Sequence, residues 1–296
     1  GYDRFNLDWL LRCITTVLTG EAYYRELEHV SIAAFRNGLE RTERVIDTLL
    51  NTVAARLGLD FARVLGSRYA FPLMARYVSE RGMSLTDHRE RGTLLYWYVH
   101  TFLWGRYAGS TESKLSQDLR AIEESEGALE RLIRQLRQQR GDLRLRPNDF
   151  VGASRGARFY PMMYMLTRVW KALDWGSGVE LSNNLLGGQS RLHLHHIFPK
   201  RLLYDHDYQR GEVNALANMT FLTQETNLNI SDRPPAEYLP EIEAQHPGVL
   251  ASHWIPMDPE LWKADHFISF LDARQNLLAD AANRFLDSLL QGALPE

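Results

Sequence analysis

Apolar residues recur at three- and four-residue spacing over positions 7–18, and again at Val45, Leu49, Val53 and Leu57. That is the repeat of a helix burying one face. After Gly58 and Gly66, positions 69–78 and 93–104 supply two further apolar segments. Positions 113–139 are charged and free of proline, with Ile122, Leu129, Leu132, Ile133 and Leu136 forming a stripe, which predicts one long helix. Positions 158–175 are rich in Met and aromatic residues and predict another helix whose stripe packs in a core. Helical texture returns after Pro240, from 261 to 290. The expected fold class is mainly α, with residues 1–175 as a helical domain.

One stretch breaks the helical pattern. Positions 176–190 carry four glycines and two asparagines, the composition of a linker. From Arg191 to Lys200 polar and apolar residues alternate, predicting a short strand ended by Pro199. In a strand His193 and His195 share one face and His196 takes the other. Met219 to Leu222 favours β structure and should pair with the first strand after a loop containing Gly211. Asn218 precedes this second strand, and Asn227 follows Asn218 by nine positions. Two strands and a short helix, with a His pair at one end and Asn at the other, predict a small ββα finger around one metal over 191–240. Residues 241–296 are expected to pack as C-terminal helices on the finger or the helical domain.

Composition narrows the classes. Apolar residues make up 45% and charged residues 24%, as in globular proteins. One cysteine, Cys13, excludes an intrachain disulfide and a thiolate-rich zinc site, and fits a reducing cytoplasm. The apolar run 93–104 is too short to span a bilayer. No phosphate-binding GxxxxGK[ST] loop is present. The net charge of -3 hides an asymmetry: 13 Lys/Arg stand against four Asp/Glu over 131–201, and five against 15 from Leu202 onward. A basic middle can guide a phosphate backbone, although the Arg131, Arg134, Arg137, Arg140 series also reads as a solvated helix face. Arg106 suits helix-end packing as well as phosphate contact.

His195-His196 before Ile-Phe-Pro, followed by Asn218 and Asn227, resembles the HNH (His-Me finger, ββα-metal) endonucleases. The 48 residues over 192–239 look like the version at the C-terminus of GmrSD-type modification-dependent restriction enzymes and SspE phosphorothioate-dependent defence proteins. The resemblance implies a metal-dependent DNA endonuclease, a nickase in anti-phage restriction, with DNA as partner and a homodimer for double-strand breaks. His196 would be the general base, with Asn218 supporting it by pinning the loop or orienting the ring. His195 and Asn227 would hold the metal, with Asn229 as an extra ligand. Mg²⁺ is the expected cofactor; His in the first ligand position also suits Mn²⁺, Ni²⁺ or Zn²⁺. Lys200, Arg201 and Arg233 would contact DNA phosphates. Such families carry an N-terminal nucleotide-binding sensing domain, expected to lie upstream of this chain, which opens without methionine. A competing reading makes His193, His195, His196 and His206 a structural zinc site in a DNA- or protein-binding module with a degenerate nuclease finger.

Overall fold

A computed structural model describes residues 5–62, 64–124, 126–152, 158–182 and 192–293. The chain is mainly helical, and its described residues hold one two-stranded antiparallel sheet. It divides into two compact units, Gly1–Leu143 with Leu286–Leu294, and Arg144–Phe285 with the last two residues.

Among the described residues the elements of the first unit are helical, chiefly α1 (Leu7–Thr19), α2 (Ile32–Leu57), α3 (Ala70–Ser79), α4 (His88–Leu103), α5 (Thr111–Ala121) and α6 (Ala128–Arg140). The apolar repeats become buried faces, Val45, Leu49, Val53 and Leu57 among them. Asn6 and Ser31 cap α1 and α2 by accepting from Trp9 N and Ala34 N.

The long helix expected over 113–139 is two helices. Gly127 takes a left-handed conformation (φ 67°) before α6. The Arg131 side chain reaches back to the carbonyls of Ala121, Glu124 and Glu126. The Ala121 carbonyl, orphaned where α5 ends, and the two loop carbonyls thus find a donor on the next helix.

Arg106 answers the question left open for it. It is 2% exposed, and its guanidinium meets the Asp118 carboxylate through two bonds, Nη2 to Oδ1 at 2.6 Å and Nε to Oδ2 at 3.1 Å. Nη1 donates to Gln139, the second Nη2 proton is shared between Gln117 and Gln135, and the Tyr107 hydroxyl also donates to Asp118. The packing role is the one observed.

The second unit carries α7 (Tyr160–Val169), β1 (His193–His196), α8 (Lys200–Asp205), α9 (Arg210–Val213), β2 (Met219–Leu222), α10 (Gln224–Ile230), α11 (Pro235–Gln245) and α12 (Phe267–Leu290), whose last residues belong to the first unit. The helix expected from 158 stops at Val169, because Lys171 turns left-handed (φ 50°) into a hairpin. In that hairpin Leu181 N donates to Ala172 O and Asp174 N to Val179 O. Residues 176–182 of the expected linker close this turn; 183–190, with Arg191, lie outside the described residues. Gly211, expected in a loop, sits in α9.

β1 and β2 pair with His193 opposite Leu222, Leu194 opposite Phe221, His195 opposite Thr220 and His196 opposite Met219. Phe221 packs edge-on to Tyr160 and Tyr164 of α7 at 5.4 and 5.2 Å between centroids. Such pairs contribute about 0.5–1.5 kcal/mol each beyond area burial. Phe198, just after β1, packs on Phe267 and Phe270 of α12. Among the described residues no helix is long and apolar enough to cross a membrane.

Removing one partner of a buried ion pair strands the other. Arg106→Ala should therefore lower the unfolding free energy by about 3–5 kcal/mol, read as a shift of the urea midpoint at constant m-value.

Candidate active site

The short strand β1 separates its histidines by environment. His195 is 4% exposed, whereas His193 and His196 are half-buried. The His195 ring sits among Trp175 and Tyr238, at 5.8 and 6.3 Å between centroids. Burial among these rings pushes its pKa down to about 4, against a smaller upward pull from Asn227. The imidazole is therefore neutral at physiological pH. Its Nδ1 and Asn227 Oδ1 stand 2.9 Å apart, and its buried Nε2 has no hydrogen-bond partner.

Asn227 owes its position to a network rooted in the 172–181 hairpin. Asp174, 1% exposed, accepts from Thr223 N (2.9 Å), the Thr226 hydroxyl, the Ser177 hydroxyl (3.0 Å), Ser177 N (3.2 Å) and Gly176 N (3.3 Å). Thr223 caps α10, so the carboxylate clamps the first turn of the helix that carries Asn227. Burial pushes the Asp174 pKa up, but the donors outweigh it and hold the carboxyl below its usual range. The approach is tight: a Cβ on Gly176 would lie 2.5 Å from Thr226 Oγ1.

Behind the sheet, His253 is 1% exposed. Its Nε2–H donates to Leu173 O at 2.8 Å, and its Nδ1 accepts from the Thr220 hydroxyl, the cross-strand neighbour of His195. Burial pushes its pKa down to about 4, ahead of an upward pull from the Leu173 carbonyl. Arg274 donates to the carbonyls of Ala217, Met219 and His253.

Asn218 is fully buried and faces backbone only. Its Oδ1 accepts from Phe198 N at 2.8 Å, and its Nδ2 donates to Phe198 O and Val213 O. It fastens the loop after β1 to the turn before β2. His196, one step before that loop, has Nε2 3.4 Å from Asn214 Oδ1. The Asn214 amide is itself aimed by a bond to Arg210 O. Only the tautomer protonated at Nε2 can donate to that amide oxygen.

The remaining expected residues are scattered. Asn229 is exposed and lies two positions beyond Asn227 on α10, a spacing that does not share a helix face. Lys200 and Arg201 are exposed at the start of α8, Arg201 4.0 Å from Asp205, and Arg233 bonds Glu241 at 2.8 Å. His206 bonds Leu202 O and lies 3.6 Å from Asp265. Among the described residues no group of three or more His, Cys, Asp or Glu could hold a metal. Sequence reasoning missed Asp174, His253, Asn214 and Arg274. Only Asp174 had a local signal, the turn-forming Asp-Trp-Gly-Ser-Gly.

No family model matches the chain. It is 27% identical over 180 residues to an uncharacterized protein of Methanocaldococcus jannaschii, across 58% of this chain and 29% of that protein. The chain thus spans under a third of that relative's length.

Two outcomes follow from this geometry. Asn218→Ala leaves three buried backbone groups unpaired, at about 1–3 kcal/mol each, so thermal unfolding should drop steeply. The depressed folded pKa values of His195 and His253 mean that the unfolded chain binds these protons first. Their contribution is present above the unfolded value of about 6.5 and is lost as pH falls toward about 4. Urea midpoints should decline over that window, and His253→Asn should flatten the decline.

Proposed function

We propose that the chain is a metal-dependent endonuclease of the HNH type that nicks DNA, with β1, β2 and α10 as its ββα finger. The observation that carries this reading is the His195–Asn227 pair beside His196 on the opposite strand face. The 2.9 Å between His195 Nδ1 and Asn227 Oδ1 is a hydrogen bond donated by Nδ1, and once that proton is carried on Nε2 instead, the same separation suits two adjacent ligands of an octahedral cation with bonds of about 2.0–2.1 Å. A metal ligand must be deprotonated, and burial keeps the His195 ring neutral. With two protein ligands, other positions stay open to water and phosphate oxygens, as a catalytic rather than a structural site requires. When bound there, a divalent ion, Mg²⁺ or its near relatives, would stabilise negative charge developing on the phosphate and leaving oxygen.

The chain's own residues do the rest. His196 takes the proton from the attacking water, and Asn214 orients its ring. Asn218 positions His196 by holding the following loop. It is a positioning residue, because its amide is spent on backbone. Lys200 and Arg201 are exposed close in sequence to His196 and can meet backbone phosphates; Arg233 would first have to leave Glu241. One such centre per chain supports nicking, with double-strand breaks through a homodimer. A cytoplasmic role in anti-phage restriction, coupled to an upstream nucleotide-binding sensor, belongs to the same proposal. The structural-zinc alternative is less well supported, since His206 bonds elsewhere.

Supercoiled plasmid incubated with Mg²⁺ or Mn²⁺ tests the reading. The chain should convert it to nicked circles, and His196→Ala should slow this by about 10²–10⁴-fold. Asn227→Ala should raise the metal concentration needed for half-maximal rate. Equal nicking by chain and His196→Ala, or none with any divalent ion, would refute the proposal.

A further inference from the structure

The helical unit Gly1–Leu143 contains a groove of about 400 Å³ between α5 and α6. Its walls are Gln117, Arg120, Arg131, Arg134, Gln135 and Gln138, with Ala121, and none of them is a carboxylate. Arg120 and Arg134 are exposed, and among the described residues no ion pair engages either. Arg131 is different: its protons go to loop carbonyls, and Glu124 lies 3.8 Å away. It supplies a fixed positive rim rather than a mobile hand.

The amides are polarised by a residue behind the wall. Arg106, buried and paired with Asp118, also donates to Gln117 Oε1 at 3.0 Å and to Gln135 Oε1 at 3.2 Å. One proton of Nη2 goes to Asp118, so the two amide oxygens share the other, which engages one lone pair on each. Gln117 and Gln135 keep their NH₂ groups as donors, of which Gln135 Nε2 makes only a long bond of 3.4 Å to Gln117 O. An asparagine or glutamine normally presents donor and acceptor alike. Here the buried guanidinium holds the Gln117 and Gln135 oxygens in a groove whose charged lining is arginine.

We propose that this α5–α6 groove is an anion site that binds phosphate groups through Arg120, Arg134 and the amides of Gln117 and Gln135. Guanidinium forks suit phosphate oxygens, and the volume suits a nucleotide-sized group. The phosphate can come from a nucleic-acid backbone or from a free nucleotide. The site is independent of the proposed cutting centre and needs no metal.

The test measures binding in EDTA, so loss of the cutting reaction cannot mask it. A short fluorescent DNA duplex is one probe and ATP the other, with the chain, Arg120→Gln/Arg134→Gln, and the charge-matched control Arg36→Gln/Arg89→Gln. Arg36 and Arg89 are exposed on α2 and α4, outside the groove. The groove variant should weaken one probe at least tenfold while the control stays within about twofold. If that probe is the duplex, the slope of log affinity against log salt should fall by about two, and the backbone is the source. If it is ATP, competing with the duplex or binding alone, the source is a free nucleotide. The proposal is overturned if neither probe binds the chain, if the groove variant binds both as the chain does, or if the control weakens binding as much.

Discussion

A carboxylate taken out of water costs several kcal/mol unless nearly every lone pair finds a donor. Asp174 meets that condition with five donors, and much of the candidate site hangs on it. Two of the five come from Thr223 and Thr226 at the start of α10, three from Gly176 and Ser177 in the hairpin. The anion therefore cannot be satisfied unless hairpin and helix meet. Once they meet, Asn227 lies one residue past Thr226, facing His195. The smallness of Gly176 is part of the same constraint, since any side chain there would push Thr226 away.

The opposite side of the finger is held by a different kind of buried polar group. Arg274 has no carboxylate among the partners that fix it; its charge rests on three backbone carbonyls, and burial lowers its pKa to about 9. Two of those carbonyls, Ala217 and Met219, flank Asn218, whose amide grips Phe198 and Val213. The turn before β2 is gripped from α12 and from the loop after β1 together. A β-strand of four residues contributes few ladder bonds of its own, so these side-chain bonds do much of the work of keeping its register.

Legibility from the chain followed the range of the interaction. The alternation around His193–His196, the β-favouring Met219–Leu222 and the apolar stripes are local patterns, and each became the corresponding strand or helix face. The break between α5 and α6 was local too, but Gly127 was outvoted by a stripe that runs through it. His253, Arg274 and Asp174 were of another kind. Their partners lie 33 to 80, 21 to 57 and, for α10, 49 and 52 positions away. No periodicity connects such pairs, because each needs only one compatible atom at the end of a folded path. Arg106 shows the same limit from the other side: an arginine in a glycine-rich turn looks available until Asp118 and three glutamines close on it.

Two adjacent histidines carry opposite requirements in the proposed reaction, and a strand is what reconciles them. A ligand nitrogen should be dry and neutral at every working pH, while a base must reach water and regain its proton from it. Neighbours on a helix would share much of one environment, being only about 100° apart. On β1 they face opposite sides: His195 enters the ring of Trp175 and Tyr238, and His196 stays half-buried beside Asn214. The walls around His195 contribute rings rather than charges, so desolvation acts on it nearly unopposed and drives its pKa to about 4. A carboxylate placed there would raise that value and let a proton compete with any cation for Nδ1. The apolar lining is thus as much a part of the proposed ligand as the imidazole itself.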